Sequence, residues 1–402
     1  MDDAEFIRTF KYDDPSMADD PYSRYARLRK GCPVGWSEVY GGHWVLSRYR
    51  DVYDAVERPD IFSSFPALIP APSDQESGTG AIGQLIPLEI DPPDHTGYRQ
   101  ILAPLFSPAD ARRHEEWIRK RSAELADAIV AKGQCDFMTD FALPLPTDLF
   151  CTMMDFPRED APQFLEWVQK VIFGDPDAPD GGMSVREEGG MAMYLYFGEA
   201  MEDRAERPRD DLLTKLMAAR YDGDRELNQF EILNILFLLM FASLETTKTV
   251  LGNIVAFLAQ NPDHRRQIVD DESILPMAIE ELIRYESPIT SGRTVRQETE
   301  VAGVRMCPGD RVLLLWASAD RDEAEFPDPD TVDFARPANR HLGFGAGPHR
   351  CLGNHLARVE LRVALEEIHR RMPDYCITPG EKVVRRPGPA HTIERLPITV
   401  LG

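Results

Sequence analysis

The stretch Phe344-Gly345-Ala346-Gly347-Pro348-His349-Arg350-Cys351-Leu352-Gly353 puts a lone cysteine at the end of a glycine-rich loop, between basic residues. A helical run follows at once: Asn354-His355-Leu356-Ala357-Arg358-Val359-Glu360-Leu361. Backbone N–H groups and positive charge around a thiol lower its pKa and favour the thiolate. One thiolate cannot close a zinc or iron–sulfur cage, which needs several ligands. It does suffice as the single axial ligand of a haem iron. The other reading of Cys351 is a buried small apolar side chain, as most free cysteines are.

Outward from that loop the pattern is mostly helical. Residues 22–30 and 108–132 carry helical spacing, and Ile274 to Tyr285 predicts another helix. Asn228 to Asn261, stopped by Pro262, predicts the longest helix; apolar nearly all round, it belongs at the centre of the fold. Short strands are expected from Trp36 to Val45 around Gly41-Gly42 and near Ala302-Gly303. Others are expected at Val312 to Trp316 and between Arg385 and Val400. Residues 63–94 form a Pro/Ser/Gly-rich loop with apolar residues between, and a Gly/Pro/Asp-rich break spans Gly174 to Gly182. No linker or internal repeat divides the 402 residues, so the expectation is one catalytic domain, 1–402.

The formal charge of −23 argues against a general nucleic-acid binder and against anionic membrane surfaces. Six cysteines (32, 135, 151, 307, 351 and 376) include no CxxC pair, which points to reduced thiols and an intracellular home. The acidic start Met1-Asp2-Asp3-Ala4-Glu5 has no signal-peptide pattern. The most apolar segment, Ile232 to Leu244, reads as too short to span a bilayer. A cytoplasmic protein with no membrane partner is therefore expected.

A second constellation lies within the long helix: Ala242-Ser243-Leu244-Glu245-Thr246-Thr247. A carboxylate in an apolar helix is expensive unless it is paired or used. One reading pairs Glu245 with a neighbouring cation and lets Thr246 back-bond to a carbonyl one turn earlier. The other makes the two residues a proton relay. Glu281-Leu282-Ile283-Arg284 sets two charges on one helical face, by itself a common surface pair.

In order along the chain, these motifs resemble the cytochrome P-450 family, whose haem loop has the form Phe-Gly-x-Gly-x-His/Arg-x-Cys-x-Gly. The resemblance covers nearly the whole chain and implies a mainly α, helical prism with small antiparallel β-sheets. It implies haem b (iron protoporphyrin IX) with Cys351 as thiolate axial ligand, in a loop opened by Phe344. By the same resemblance Glu245 and Thr246 are the catalytic acid–alcohol pair that delivers protons during oxygen activation. His95, Arg99, Arg293 and His349 are then the cations for the haem propionates, and Glu281/Arg284 with Arg336 form a structural cluster behind the haem. The family usually has glycine where Ser243 stands, which leaves the oxygen groove as the part most altered here. Substrate contacts are expected from 63–94 and 165–195, from the central helix near Met240 and Leu244, from Ile289 to Ser291 and from the terminal turn near His391 to Ile393.

The activity implied is insertion of one atom of O₂ into a small hydrophobic substrate. The segment Pro373 to Pro397 is similar to the camphor-hydroxylating branch, which implies a terpenoid or aromatic molecule. A strand-linked GxGxxG is missing, so electrons from NAD(P)H are expected through ferredoxin and a ferredoxin reductase. Arg99, Arg112, Arg113 and Arg350 are the candidate docking cations. Two other readings stay open: a peroxide-using haem-thiolate enzyme, and a non-catalytic haem sensor.

Overall fold

The computed structural model describes residues 2–69, 83–174 and 182–401. The middle of the long loop and most of the Gly174–Gly182 break lie outside those residues. The longest helix runs Gln229–Gln260. Its start is fixed by reciprocal bonds: the Asn228 side chain accepts from the Glu231 N–H, and the Glu231 carboxylate reaches back to the Asn228 N–H at 2.7 Å. This capping box satisfies two of the donors that every helix leaves unpaired at its start. At the far end Pro262 begins the next helix, Pro262–Asp270.

Two apolar cores meet on this central helix. Its first half, through Leu244, packs with Pro144–Met154, Ala161–Phe173 and Met183–Glu206. Its second half, from Leu251, packs with Glu115–Lys132, Leu275–Tyr285 and the helix after the cysteine loop, Asn354–Arg371. Each buried Leu, Ile or Phe contributes about 1.5–3 kcal/mol, so both halves are firmly held. The polar residues from Glu245 to Thr249 fall between the two cores, and the cavity described below opens there. By length and composition the central helix is long and apolar enough to cross a bilayer. Ile232 to Leu244 is thus part of a longer apolar element than its own length suggested. Most of that element is buried inside the fold, as in the core helix of a globular protein.

The sheets are small. The largest orders its strands Val34–Ser37, His43–Leu46, Arg311–Leu314, Ser291–Val295 and Phe62–Ser63. All pairings are antiparallel except Arg311–Leu314 with His43–Leu46, which run parallel, Leu313 opposite Val45. A three-stranded sheet joins Tyr375–Ile377, Pro397–Val400 and Gln134–Asp136. Local differences from the sequence reading are few. The 108–132 helix is two, Pro108–Arg113 and Glu115–Lys132, divided at His114. The strand expected to reach Trp316 stops at Leu314, and Trp316 instead opens a short helix, Trp316–Ala319. Its indole N–H donates to the Ser291 hydroxyl at 2.9 Å, which ties the turn to the neighbouring strand.

Candidate active site

A cavity of about 390 Å³ lies between the cysteine loop and the central helix. All eight residues expected at the site line it: His95, Arg99, Glu245, Thr246, Arg293, Phe344, His349 and Cys351. They come from a helix (Asp94–Leu102), the central helix, a strand (Ser291–Val295) and the loop before Asn354.

The loop holds its shape through its glycines. Gly345 and Gly347 have φ of 67° and 66°, the left-handed region. A Cβ on Gly347 would lie 2.4 Å from the Val56 carbonyl oxygen, so only glycine fits. The Cys351 N–H donates to the Phe344 carbonyl at 2.8 Å, and the Cys351 carbonyl accepts from Asn354 Nδ2 at 2.7 Å. The Arg358 guanidinium lies over the Phe344 ring at 4.3 Å and pairs with Glu280 at 2.7 Å, which fixes the first residue of the motif. Burial pushes the Cys351 thiol up, opposed by the Gly353 N–H and by Arg99, Arg358 and Arg350. The loop's charges alone therefore do not lower this thiol, contrary to the sequence reading: desolvation is the larger effect. A bound metal ion supplies the missing charge, since a coordinating thiol is deprotonated outright.

The cation wall is unusual in what it lacks. Arg293 is buried, and its guanidinium donates to the Gly292 carbonyl at 2.7 Å without an ion-pair partner among the described residues. Burial lowers its pKa to about 10, against a pull from Asp91. Arg99 has neither a hydrogen bond nor an ion pair among the described residues, and burial lowers its pKa too. Beside them His349 Nε2 is buried without a hydrogen-bond partner. Unpaired buried charge is costly. These orphan donors, on the wall that carries one soft sulfur ligand, fit a dianionic porphyrin whose iron takes the thiolate.

On the opposite wall Ala242, Thr246 and Val250, each one helical turn from the last, border the cavity together with Ser243. The Thr246 hydroxyl donates to the Ala242 carbonyl at 2.7 Å. Glu245 accepts from Lys248 Nζ at 2.5 Å, and both side chains are buried. The ion pair and the back-bond are thus both present, and Lys248 is the partner that the motif did not name. An i,i+3 spacing of the helix's one lysine from Glu245 is the signal that could have found it.

The rest of the pocket is mainly apolar. Leu68, Leu88, Ile172, Phe173 and the stretch Ile289 to Ser291 line it as expected. The central helix near Met240 and Leu244 also lines it, through Leu239, Ala242 and Ser243, while Met240 and Leu244 themselves are fully buried in the core. The terminal turn near His391 to Ile393 lines it too, though not through those two residues. His391 Nε2 bonds the Ala18 carbonyl at 2.8 Å, Ile393 is core, and Pro389 and Ala390 form the wall. Behind the loop, Glu281 accepts from Arg284 (2.8 Å), Arg336 (3.0 Å), Asn339 (3.2 Å) and the Asp333 N–H (3.0 Å). Of the docking candidates Arg112, Arg113 and Arg350 are exposed, whereas Arg99 faces the cavity.

A helical fold around one thiol, with a cationic wall facing an acid–alcohol helix, defines a haem-thiolate oxidoreductase. Residues 191–372 match the family model for cytochrome P-450. The methyl-branched lipid omega-hydroxylase of Mycobacterium tuberculosis is 37% identical over 395 residues, 93% of this chain and 90% of that one. The vitamin D(3) 25-hydroxylase of Pseudonocardia autotrophica is 32% identical over 391 residues, 95% of this chain and 94% of that one. The crystal structure of CYP109E1 from Bacillus megaterium in complex with testosterone superposes with a TM-score of 0.87 at 26% identity, covering 96% of this chain and 99% of that one. The chain belongs to the cytochrome P-450 family. It is a monooxygenase whose cofactor is haem b with a cysteine thiolate as axial ligand.

Proposed function

We propose that residues 1–402 act as one catalytic domain that hydroxylates a small apolar molecule of terpenoid character, with electrons from NAD(P)H delivered through ferredoxin and its reductase in the cytoplasm. The observation that carries this reading is the meeting, in one cavity, of Cys351, the unpaired cations and the Glu245–Thr246 turn. Bound haem supplies thiolate-assisted O–O cleavage; everything else falls to the chain. Cys351 is the ligand. Arg99, Arg293, His95 and His349 hold the propionates, with Arg offering a forked donor suited to carboxylates. Leu68, Leu88, Ile172 and Phe173 exclude water and orient the substrate, as apolar pockets do. The Thr246 hydroxyl passes protons toward the cavity, and Glu245 replenishes them.

Among the described residues the charged or titratable side chains of the lining, Cys351 aside, are Glu245, Glu360 and the wall of His95, Arg99, Arg293 and His349, and the rest is mainly apolar, which favours an uncharged aliphatic body. The lipid, vitamin D and testosterone in the names of the relatives support an aliphatic, isoprenoid-like molecule over an aromatic one. Arg112, Arg113 and Arg350 are the exposed cations that we assign to an acidic ferredoxin. The test compares NAD(P)H-driven turnover through ferredoxin and reductase with peroxide-driven turnover, under labelled O₂. The expected product carries one atom of label and requires the ferredoxin. Full rate with peroxide alone would overturn the reading.

A further inference from the structure

Lys248 is the one basic residue on the central helix. It is buried, with its ammonium 2.5 Å from Glu245 Oε1, and the two side chains are only 10% and 7% exposed. The helical period separates two faces. Ala242, Thr246 and Val250 look into the cavity, while Glu245, Lys248, Thr249 and Asn253 form an adjoining polar stripe. That stripe is held toward the C-terminal hairpin, Val384–Arg386 paired with Thr392–Arg395: Thr249 Oγ1 donates to the Glu245 carbonyl at 2.8 Å and lies 3.0 Å from Thr392 Oγ1, and Asn253 Oδ1 accepts from Arg385 Nη1 at 3.1 Å. Folding does not require such a pair, since replacing a buried ion pair by apolar side chains is often neutral or stabilising. Its place beside the cavity calls for another explanation. Glu245 also borders the cavity, so the carboxyl group assigned to proton supply is held on one side by a cation.

We propose that Lys248 is a positioning residue for oxygen chemistry: it docks Glu245 on the hairpin side of the central helix in the resting protein, and proton delivery to Thr246 begins when that pair opens. This rests on the proton-supply role proposed above for Glu245. Once released, the Glu245 carboxylate takes up a proton from solvent and passes it to the Thr246 hydroxyl side, returning to the carboxylate that Lys248 pairs again, so the proton count closes over one turnover. The pair makes each delivery conditional on separating two buried charges, a step that a carboxyl group without Lys248 would not face.

The experiment uses the haem-loaded protein and its Glu245→Gln, Lys248→Met, Lys248→Gln and Lys248→Arg variants. One readout is the infrared carboxylate stretching band lost in Glu245→Gln; the other is the solvent isotope effect on NAD(P)H-driven product formation. In Lys248→Met the band shifts and the isotope effect falls by about half. Lys248→Arg, which restores the cation, returns both toward the parent values. Lys248→Gln keeps a donor without the charge and gives the same direction as Lys248→Met, so a folding failure in one variant leaves the other to decide. An unchanged band and isotope effect in the folded Lys248→Met or Lys248→Gln protein would overturn the proposal. A separate result, parent-like product yield and isotope effect in Glu245→Gln, would instead defeat the underlying role of Glu245.

Discussion

The rings of His95 and His349 meet at 4.2 Å between centroids, tilted by 48°. Burial, with Arg99 beside it, lowers His95 to about 4. Burial followed by Arg293, His95 and Arg99 lowers His349 to about 2. The wall therefore carries two fixed charges and two neutral rings, donors suited to two carboxylates. Truncating either arginine to Ala removes charge-assisted bonds worth about 1.5–3 kcal/mol, or roughly tenfold to a hundredfold in haem retention. Transfer of haem to excess apo-globin measures this. An Arg293→Lys change recovers only part, because the forked donor is lost.

Cys351→Ser keeps the volume but removes the soft ligand. The expected result is loss of the red-shifted Soret band of the reduced carbonyl complex, read in an absorbance difference spectrum. An unchanged band would exclude Cys351 as the ligand.

Glu281 is the hub behind the cysteine loop. Arg284 is fully buried, and besides Glu281 its hydrogen bonds go to backbone carbonyls, of Asp320, Pro329 and Thr331. Glu281→Ala strands that guanidinium in the core, at a cost of about 3–5 kcal/mol. Urea unfolding should show the full loss for Glu281→Ala. Arg336→Ala should lose less, since Arg284 still pairs Glu281.

Much of this was readable beforehand because it is local. The cysteine loop is fixed by glycines that a left-handed turn and the Val56 carbonyl require. The central helix announces itself by Asn228 and Pro262, and its observed ends fall within two residues of those signals. Arg336 joining Glu281 followed from family resemblance and is where the structure puts it. What was not readable depends on the third dimension. An all-apolar helix has no period to say which side meets a cavity, so the stretch near Met240 and Leu244 is legible as lining but the choice of Leu239, Ala242 and Ser243 as the inward side chains is not. The parallel pairing of Leu313 with Val45 joins distant segments, and strand propensity carries no record of a partner. The thiol of Cys351 shows the same gap: neighbouring charges are visible in sequence, but the burial that outweighs them is not.

Thr246 tests the relay directly. Its hydroxyl borders the cavity while bonded to Ala242. Thr246→Ala removes the proton carrier and leaves the helix capable of the same backbone bonds. Hydrogen peroxide released per NAD(P)H should rise and product should fall by about tenfold or more, within the range that general acid groups contribute. Thr246→Ser, which keeps the hydroxyl, should stay near the parent. Equal coupling in the parent and Thr246→Ala would refute proton delivery by this residue.

Two histidines far from the loop contribute to the loss of stability in acid. His43 is buried with Nε2 unpartnered, and burial lowers it to about 4. His369 stacks on Tyr375 with Nδ1 unpartnered, and burial followed by Arg265 lowers it to about 4. The unfolded chain takes up these protons near pH 6.5, before the folded chain does. Stability is therefore intact above about 6.5 and falls as pH drops toward about 4, by at most about 1.4 kcal/mol per pH unit for each ring. Glu360 acts with the opposite sign. Burial raises it to about 8, so the folded chain keeps a proton that the unfolded chain has released. Its contribution is full below about 4.5 and is lost as pH rises through about 8. Denaturant titrations across pH should therefore show His369→Gln flattening the acid side and Glu360→Gln flattening the neutral side. A parallel offset of the whole curve in both variants would mean that neither group titrates differently on folding.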